Sequence, residues 1–420
     1  MTLKILPQIS VQPDWHEAVR DVAGNALPED KFWVSIYKTG CSSLHTSVRV
    51  KKSSSLRTAA LEGEDNLSVQ LINSRSFKIH YSDLDIDNAI VFSPRTEYVK
   101  IKGKAAAALD VSPNGELYAC GQGSSIFIGR LRDGETQLVL KGHVGDITTL
   151  QYFPSSQVLL SGASDFQLKI WSAIDGSNPV TLLGHTSAIT DTDIISRGRN
   201  VISSSRDGKI ILWHCGSGMP ICTVCAYDVP VNKIVLAPLP ANIEPASVDT
   251  LDEREVETGD KMILTALNDG SVRGVHLGKK QEIFSISNDD GVPVTALAYN
   301  TENELIVAGN AKGVVKLYTL NKTSEPILQW QRSGHGITSL VLKLDDNGEN
   351  AIFVSSDDGS LYRTNALAQV LQKPESLAVA AEYSGNELET IYDVKVVPNT
   401  QGNGQQKLAC CVRDGSIKIY

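Results

Sequence analysis

The sequence predicts an all-β fold: a seven-bladed β-propeller preceded by a small β-rich N-terminal domain. Three observations carry the prediction. The first is a gapless repeat beginning at Gly142 and again at Gly184, in which His143 and His185, Asp165 and Asp207, and Trp171 and Trp213 are each 42 residues apart. The second is local: short alternating runs such as Leu168-Lys169-Ile170-Trp171 are separated by turn pairs such as Asp175-Gly176 and Asp207-Gly208. That is the period of strands and hairpins, not of helices. The third is a turn residue six positions before an aromatic, which extends the repeat to weaker copies. The tryptophan-equivalent positions are Gly129, Trp171, Trp213, Val275, Tyr318, Thr364 and Tyr420, giving seven units spaced by 42, 42, 62, 43, 46 and 56 residues. Four-stranded units of about 40–45 residues are propeller blades, and the long spacings call for loop insertions.

Taken in chain order, residues 1–90 form the N-terminal domain, with alternating segments at Phe32–Tyr37, Val69–Ile72 and Phe77–Tyr81 and a flexible loop expected near Lys51–Asn66. Residues 2–12 are expected to be dispensable. The propeller occupies 91–420. Because the last unit stops at its third strand, Thr96–Ile101 is expected to supply the missing outer strand and close the ring, which otherwise leaves an open edge. The insertion 238–261 carries seven acidic residues, among them Asp249 and Glu253, against Arg254 and Lys261. It is expected to be mobile, or ordered by a partner.

Composition narrows the function. Of 420 residues, 41% are hydrophobic, which is ample for a packed core, and no stretch approaches the length of a membrane span. Lys+Arg 39 against Asp+Glu 48 leaves a net charge of −9, the wrong sign for a general binder of nucleic acid or anionic membrane. Seven cysteines, an odd number, argue for reduced thiols and a cytoplasmic and nuclear location.

The set that most resembles an active site is His143, Ser161, Asp165 and Trp171, repeated as His185, Ser203, Asp207 and Trp213. A Ser/His/Asp group invites a hydrolase reading. A reactive serine need occur only once, however, and a Trp–Ser–His–Asp chain satisfies four buried polar groups within each blade. These residues read as structural tetrads. Cys222-Thr223-Val224-Cys225 lacks the second pair that zinc requires, since adjacent Cys410 and Cys411 point to opposite faces of one strand. Gly121-Gln122-Gly123 lacks the third glycine and following helix of a dinucleotide loop. No catalytic, cofactor-binding or metal-binding residue is expected. One rim of the ring, where the loops entering each inner strand meet the turns before each Asp, carries Asp146, Asp191, Asp228, Asp289, Asp290, Asp357, Glu387 and Glu389 against Lys141, Arg206, Arg332 and Arg413. That excess of acid suggests a basic protein partner, with Arg206 available for a partner carboxylate.

The repeats are similar to WD40 repeats, most strongly in blades two and three. A narrower resemblance rests on Gln167–Ser172, on Arg197-Gly198-Arg199-Asn200-Val201, on Trp213 with Cys215-Gly216, and on Glu253-Arg254-Glu255-Val256. Val11-Gln12-Pro13-Asp14-Trp15 and Arg413-Asp414-Gly415 extend it to both ends. The chain resembles the proteasomal ATPase-associated factor family. Blades one, five and six depart from the pattern at Gly129, Lys312 and Thr364. The resemblance implies a monomeric, non-catalytic chaperone for the 19S regulatory particle base of the 26S proteasome, binding the C-terminal domain of an AAA+ ATPase subunit. The alternatives are a generic WD40 scaffold or ubiquitin-ligase substrate receptor, for which no docking helix is visible in 1–90, and a hydrolase using a tetrad.

Overall fold

The computed structural model describes residues 2–53, 58–100, 103–288, 290–344, 348–386, 388–398 and 407–420. Among the described residues, seven sheets that each contain four antiparallel strands follow one another along the chain, two of them extended by N-terminal strands and the last completed by a strand that precedes the first. The second is typical: Ile147–Tyr152, Val158–Ala163, Leu168–Ser172 and Val180–Leu182 pair antiparallel in that order. Their alternation places apolar residues on both faces, so that each sheet packs against its two neighbours. The inner strands are Ala106–Val111, Ile147–Tyr152, Ile189–Ile195, Val231–Pro238, Val294–Asn300, Ile337–Leu344 and Ile391–Val397. Each lies against the next, and the last lies against the first. This is a β-propeller.

Closure follows the expected route. Thr96–Val99 pairs antiparallel with Ser416–Ile419, with Tyr98 opposite Ile417. Tyr98 then stacks on Tyr118 of the first blade at 5.8 Å and donates its hydroxyl to the Leu131 carbonyl. Ile101 lies outside the described residues. Where the tryptophan is missing in blade one, Tyr118 supplies the bulk: a Cβ on Gly129 meets its ring and hydroxyl at 2.5–2.9 Å.

The N-terminal part departs from expectation in three ways. Its strand Ile86–Phe92 crosses the expected boundary and pairs parallel with the outer strand of blade six, Val379–Tyr383. The hairpin Ser68–Asn73 and Ser76–Tyr81 extends that sheet further, to seven strands. Second, a helix, Trp15–Ala23, buries Trp15, Ala18, Val19 and Val22 against a sheet made of Gln8–Val11, Glu29–Tyr37, Leu44–Lys52 and Ala59–Gly63. Trp15 also donates its indole N–H to Ser384 of the propeller. Third, much of the expected loop Lys51–Asn66 is strand, with Lys52 paired to Ala59; residues 54–57 lie outside the described set.

Residues 2–12 are not dispensable ornament. Lys4–Ile5 adds a parallel fifth strand to blade five beside Trp330 and Gln331. Leu6, Ile9 and Val11 are buried, and the Pro7 carbonyl accepts from Arg332.

The insertion is tied down by the chain itself. The buried Asn200 amide donates to the carbonyls of Trp213 and Arg254 and accepts the N–H of Val256. Ala246 bonds Gly259, and Glu255 pairs with Lys280 at 2.7 Å. The expectation of a mobile segment fails because one buried asparagine satisfies three backbone groups that cannot otherwise pair.

Candidate functional site

Both tetrads form one directed chain. Trp171 donates its indole N–H to the Ser161 hydroxyl at 2.8 Å, and His143 Nε2 meets the same oxygen at 2.8 Å. His143 Nδ1 lies 2.9 Å from Asp165. Trp213, Ser203, His185 and Asp207 repeat this at 2.8, 2.7 and 2.9 Å. An indole only donates and a carboxylate only accepts, so the protons are assigned: Trp N–H to Ser, Ser O–H to Nε2, and Nδ1–H to Asp. The histidine must then be neutral. Burial indeed pushes both histidines below their ordinary value despite the neighbouring carboxylate. Burial would raise Asp165, but the Val144 N–H, His143 and the Gln167 N–H outweigh it and hold the carboxyl below its usual range.

A Ser–His–Asp geometry of this quality has the distances of a hydrolase triad. It lacks the access. Ser161 and Ser203 are fully buried, and each hydroxyl already accepts an indole N–H. No substrate carbonyl can reach them.

A second polar cluster joins neighbouring inner strands. The Asp110 carboxylate accepts the Tyr152 N–H, Asp191 that of Ile234, and Asp193 that of Leu236, so that one inner strand caps the next. Burial pushes Asp110 up to about 6, against the pull of Lys395 and the Tyr152 N–H. Burial would lower Lys395, but Asp393, Asp110 and Asp191 together hold its ammonium above the ordinary lysine range. Among the described residues, no group of histidine, cysteine and acidic side chains is arranged to hold a metal ion.

The residues expected on the acidic rim divide into those exposed there and those turned inward. Loops that enter an inner strand and turns that follow the second strand lie at one end of an antiparallel sheet, so the rim residues share one face. Asp146, Asp228, Asp290 and Asp357 are exposed there, Glu389 is half-buried, and Arg206 is exposed beside Asp207. Asp357 accepts from His335 Nδ1 at 3.0 Å. Asp191 does not belong to this set. A register shift lies between Ile189 and Asp191, and the Asp191 side chain turns onto the inner strand of blade four, where it is 5% exposed and paired to Lys233 at 3.1 Å. Arg332 is likewise no rim base. It is buried and makes a two-pronged pair with Glu382. Asp289 and Glu387 lie outside the described residues.

Two rim residues escaped the sequence reading. Val144 is 87% exposed and Phe166 44% exposed, on the loop and turn that Asp165 clamps. The signal was present: blades three to seven place glycine where blade two has Phe166.

Comparison with known proteins agrees with the repeat and goes beyond it. The WD domain, G-beta repeat family matches residues 134–172 and 176–214, each spanning the outer strand of one blade and the first three strands of the next, blades two and three. Human proteasomal ATPase-associated factor 1 is 29% identical over 414 residues, covering 98% of each chain. A Dictyostelium discoideum protein named probable proteasomal ATPase-associated factor 1 is 30% identical over 377 residues, covering 85% of this chain and 86% of that one. The 26S proteasome regulatory subunit RPN14 of Saccharomyces cerevisiae is 32% identical over 249 residues, 58% of each. These similarities span the N-terminal sheet as well as the propeller, so they reach far beyond the shared repeat, and the chain belongs to the proteasomal ATPase-associated factor 1 family.

Proposed function

We propose that this chain is a non-catalytic, monomeric chaperone of the cytoplasm and nucleus that assists assembly of the 19S regulatory particle base. It does so by holding the C-terminal domain of an AAA+ ATPase subunit against its acidic rim. The observation that carries the reading is similarity over nearly the whole chain to proteins named for their association with proteasomal ATPases. The exposed carboxylates of the rim support it, because they suit a basic protein surface in sign and placement. The occluded tetrad serines speak for binding rather than catalysis.

Affinity purification of the tagged chain tests the proposal. Base ATPase subunits free of the 20S core are the expected co-purifying species. A cullin or ligase adaptor in their place assigns the chain to the receptor class instead.

A further inference from the structure

Phe166 stands in a backbone slot that five sister blades reserve for glycine. Gly208, Gly270, Gly313, Gly359 and Gly415 occupy it with φ between 78° and 90°. Phe166 adopts the same left-handed conformation at φ 70°. An L-residue with a bulky side chain is disfavoured there, because its Cβ crowds the backbone. Phe166 is 44% exposed and joins neither of the apolar clusters that bury the rest of its blade. Unfavourable backbone carrying a side chain the core does not use is a mark of function.

The neighbouring positions point the same way. Val144 donates its N–H to Asp165 at 3.0 Å, just as Thr186 does to Asp207 in blade three at 2.9 Å. The two loops are built alike, yet blade three presents threonine and glycine where blade two presents valine and phenylalanine. Leu183, 62% exposed, follows Leu182, which pairs with Leu168. It therefore leaves the outer strand at the end where the Phe166 turn enters the third strand. Three apolar side chains thus lie at one end of one blade, two of them on the loop and turn that the tetrad aspartate holds in place. Asp146 lies two residues from Val144, and the exposed acids of the rim continue around the same face.

We infer that Val144, Phe166 and Leu183 form the apolar anchor of the docking surface, and that it receives an aliphatic or aromatic side chain set within a lysine- or arginine-bearing surface of the partner. This rests on the reading that the partner is a base ATPase subunit. The occupant follows from charge and shape together: an apolar centre flanked by carboxylates fits a basic surface with an apolar middle, the arrangement in which central apolar contacts dominate affinity.

The test is direct binding between the full-length chain and purified full-length base ATPase subunits, assayed one at a time. Phe166→Gly is informative because it removes the ring while giving the turn the residue its sister blades use. Its melting temperature should be unchanged or higher, while affinity for the subunit that wild type binds falls at least tenfold. Phe166→Leu should retain part of that affinity. The loss from Phe166→Gly should persist at high salt, whereas loss from reversing Asp146 should shrink as salt rises. Affinity within twofold of wild type overturns the anchor and leaves the ATPase reading standing. A lowered melting temperature for Phe166→Gly also overturns it, by showing that the ring serves the fold. If wild type binds no ATPase subunit, the functional reading fails and the anchor falls with it.

Discussion

Asp165 and Asp207 each complete a chain of donors and acceptors that has no spare member. Removing either carboxylate leaves a buried imidazole N–H and a loop N–H without an acceptor. Asp165→Ala and Asp207→Ala should therefore each cost about 1–3 kcal/mol of stability, seen as a lower melting temperature. Loss of partner binding at an unchanged melting temperature would instead give the tetrad a functional role. Asp110 behaves in the opposite sense. Its folded value of about 6 lies above the ordinary 3.8, so its protonated form favours the folded state. That contribution is fully present below about pH 4 and is lost as pH rises through about 6. Asp110→Asn keeps an oxygen to accept the Tyr152 N–H without the charge. It should match or exceed wild type in melting temperature at pH 7 and lose that advantage by pH 4. The buried histidines run the other way, stabilising above about 6.5 and failing on acidification, so comparing the variant with wild type across pH isolates the carboxyl.

The elements that surprise are those whose partners are distant in sequence. The strap Lys4–Ile5 lies beside residues 330 and 331, and Leu6 enters the core between blades five and six. Deleting residues 2–12 removes three buried aliphatic side chains, each stabilising by about 1.5–3 kcal/mol when buried. The shortened chain should be several kcal/mol less stable in urea denaturation, and a wild-type midpoint would show the strap to be superfluous. The insertion depends on Asn200 in the same way. Asn200→Ala strands the Val256 N–H and two carbonyls, so residues 239–260 should become the first site of cutting in limited proteolysis. An unchanged cleavage pattern would mean that the Glu255–Lys280 pair and the Ala246–Gly259 bond suffice. Arg197–Val201 and Glu253–Val256, far apart in the chain, are joined through Asn200.

Ring closure and rim charge belong to the molecule entire. The seam between the last blade and the first is joined by a short strand and by Tyr98, whose ring stacks on Tyr118 and whose hydroxyl reaches Leu131. Tyr98→Ala should cost about 3–5 kcal/mol, the range for emptying a buried aromatic site, and should speed unfolding. A loss below about 1 kcal/mol would place closure elsewhere. On the rim, reversing Asp146 and Asp228 to lysine together should weaken association with the ATPase partner at least tenfold at low salt. Exposed charges are screened beyond about 8 Å at physiological ionic strength, so the deficit should narrow as salt rises. Reversing Asp249 and Glu253 in the insertion makes the same change in net charge and should leave binding near wild type. The reverse pattern would move the interface to blade four.

The repeat and the tetrads were legible from the chain because each is encoded locally, and the closing strand because the seventh unit holds only three strands of its own. Alternation marks a strand, an Asp-Gly pair marks its turn, and a fixed offset of 42 residues carries a tetrad from one blade to the next. The helix Trp15–Ala23 is also written locally, in apolar residues at 15, 18, 19 and 22, although it is short and set among strands. What no local pattern could show is which way a side chain turns once sheets are stacked in a ring. Asp191 and Asp228 both sit by loops of one rim, yet the first turns onto Lys233 and Ile234 of the next blade while the second stays exposed. Arg332 finds Glu382 50 residues away, and Asn200 captures a segment more than 50 residues downstream. These pairings depend on contacts between separate sheets, so the charge offered to a partner is what remains after the tertiary fold has consumed its share.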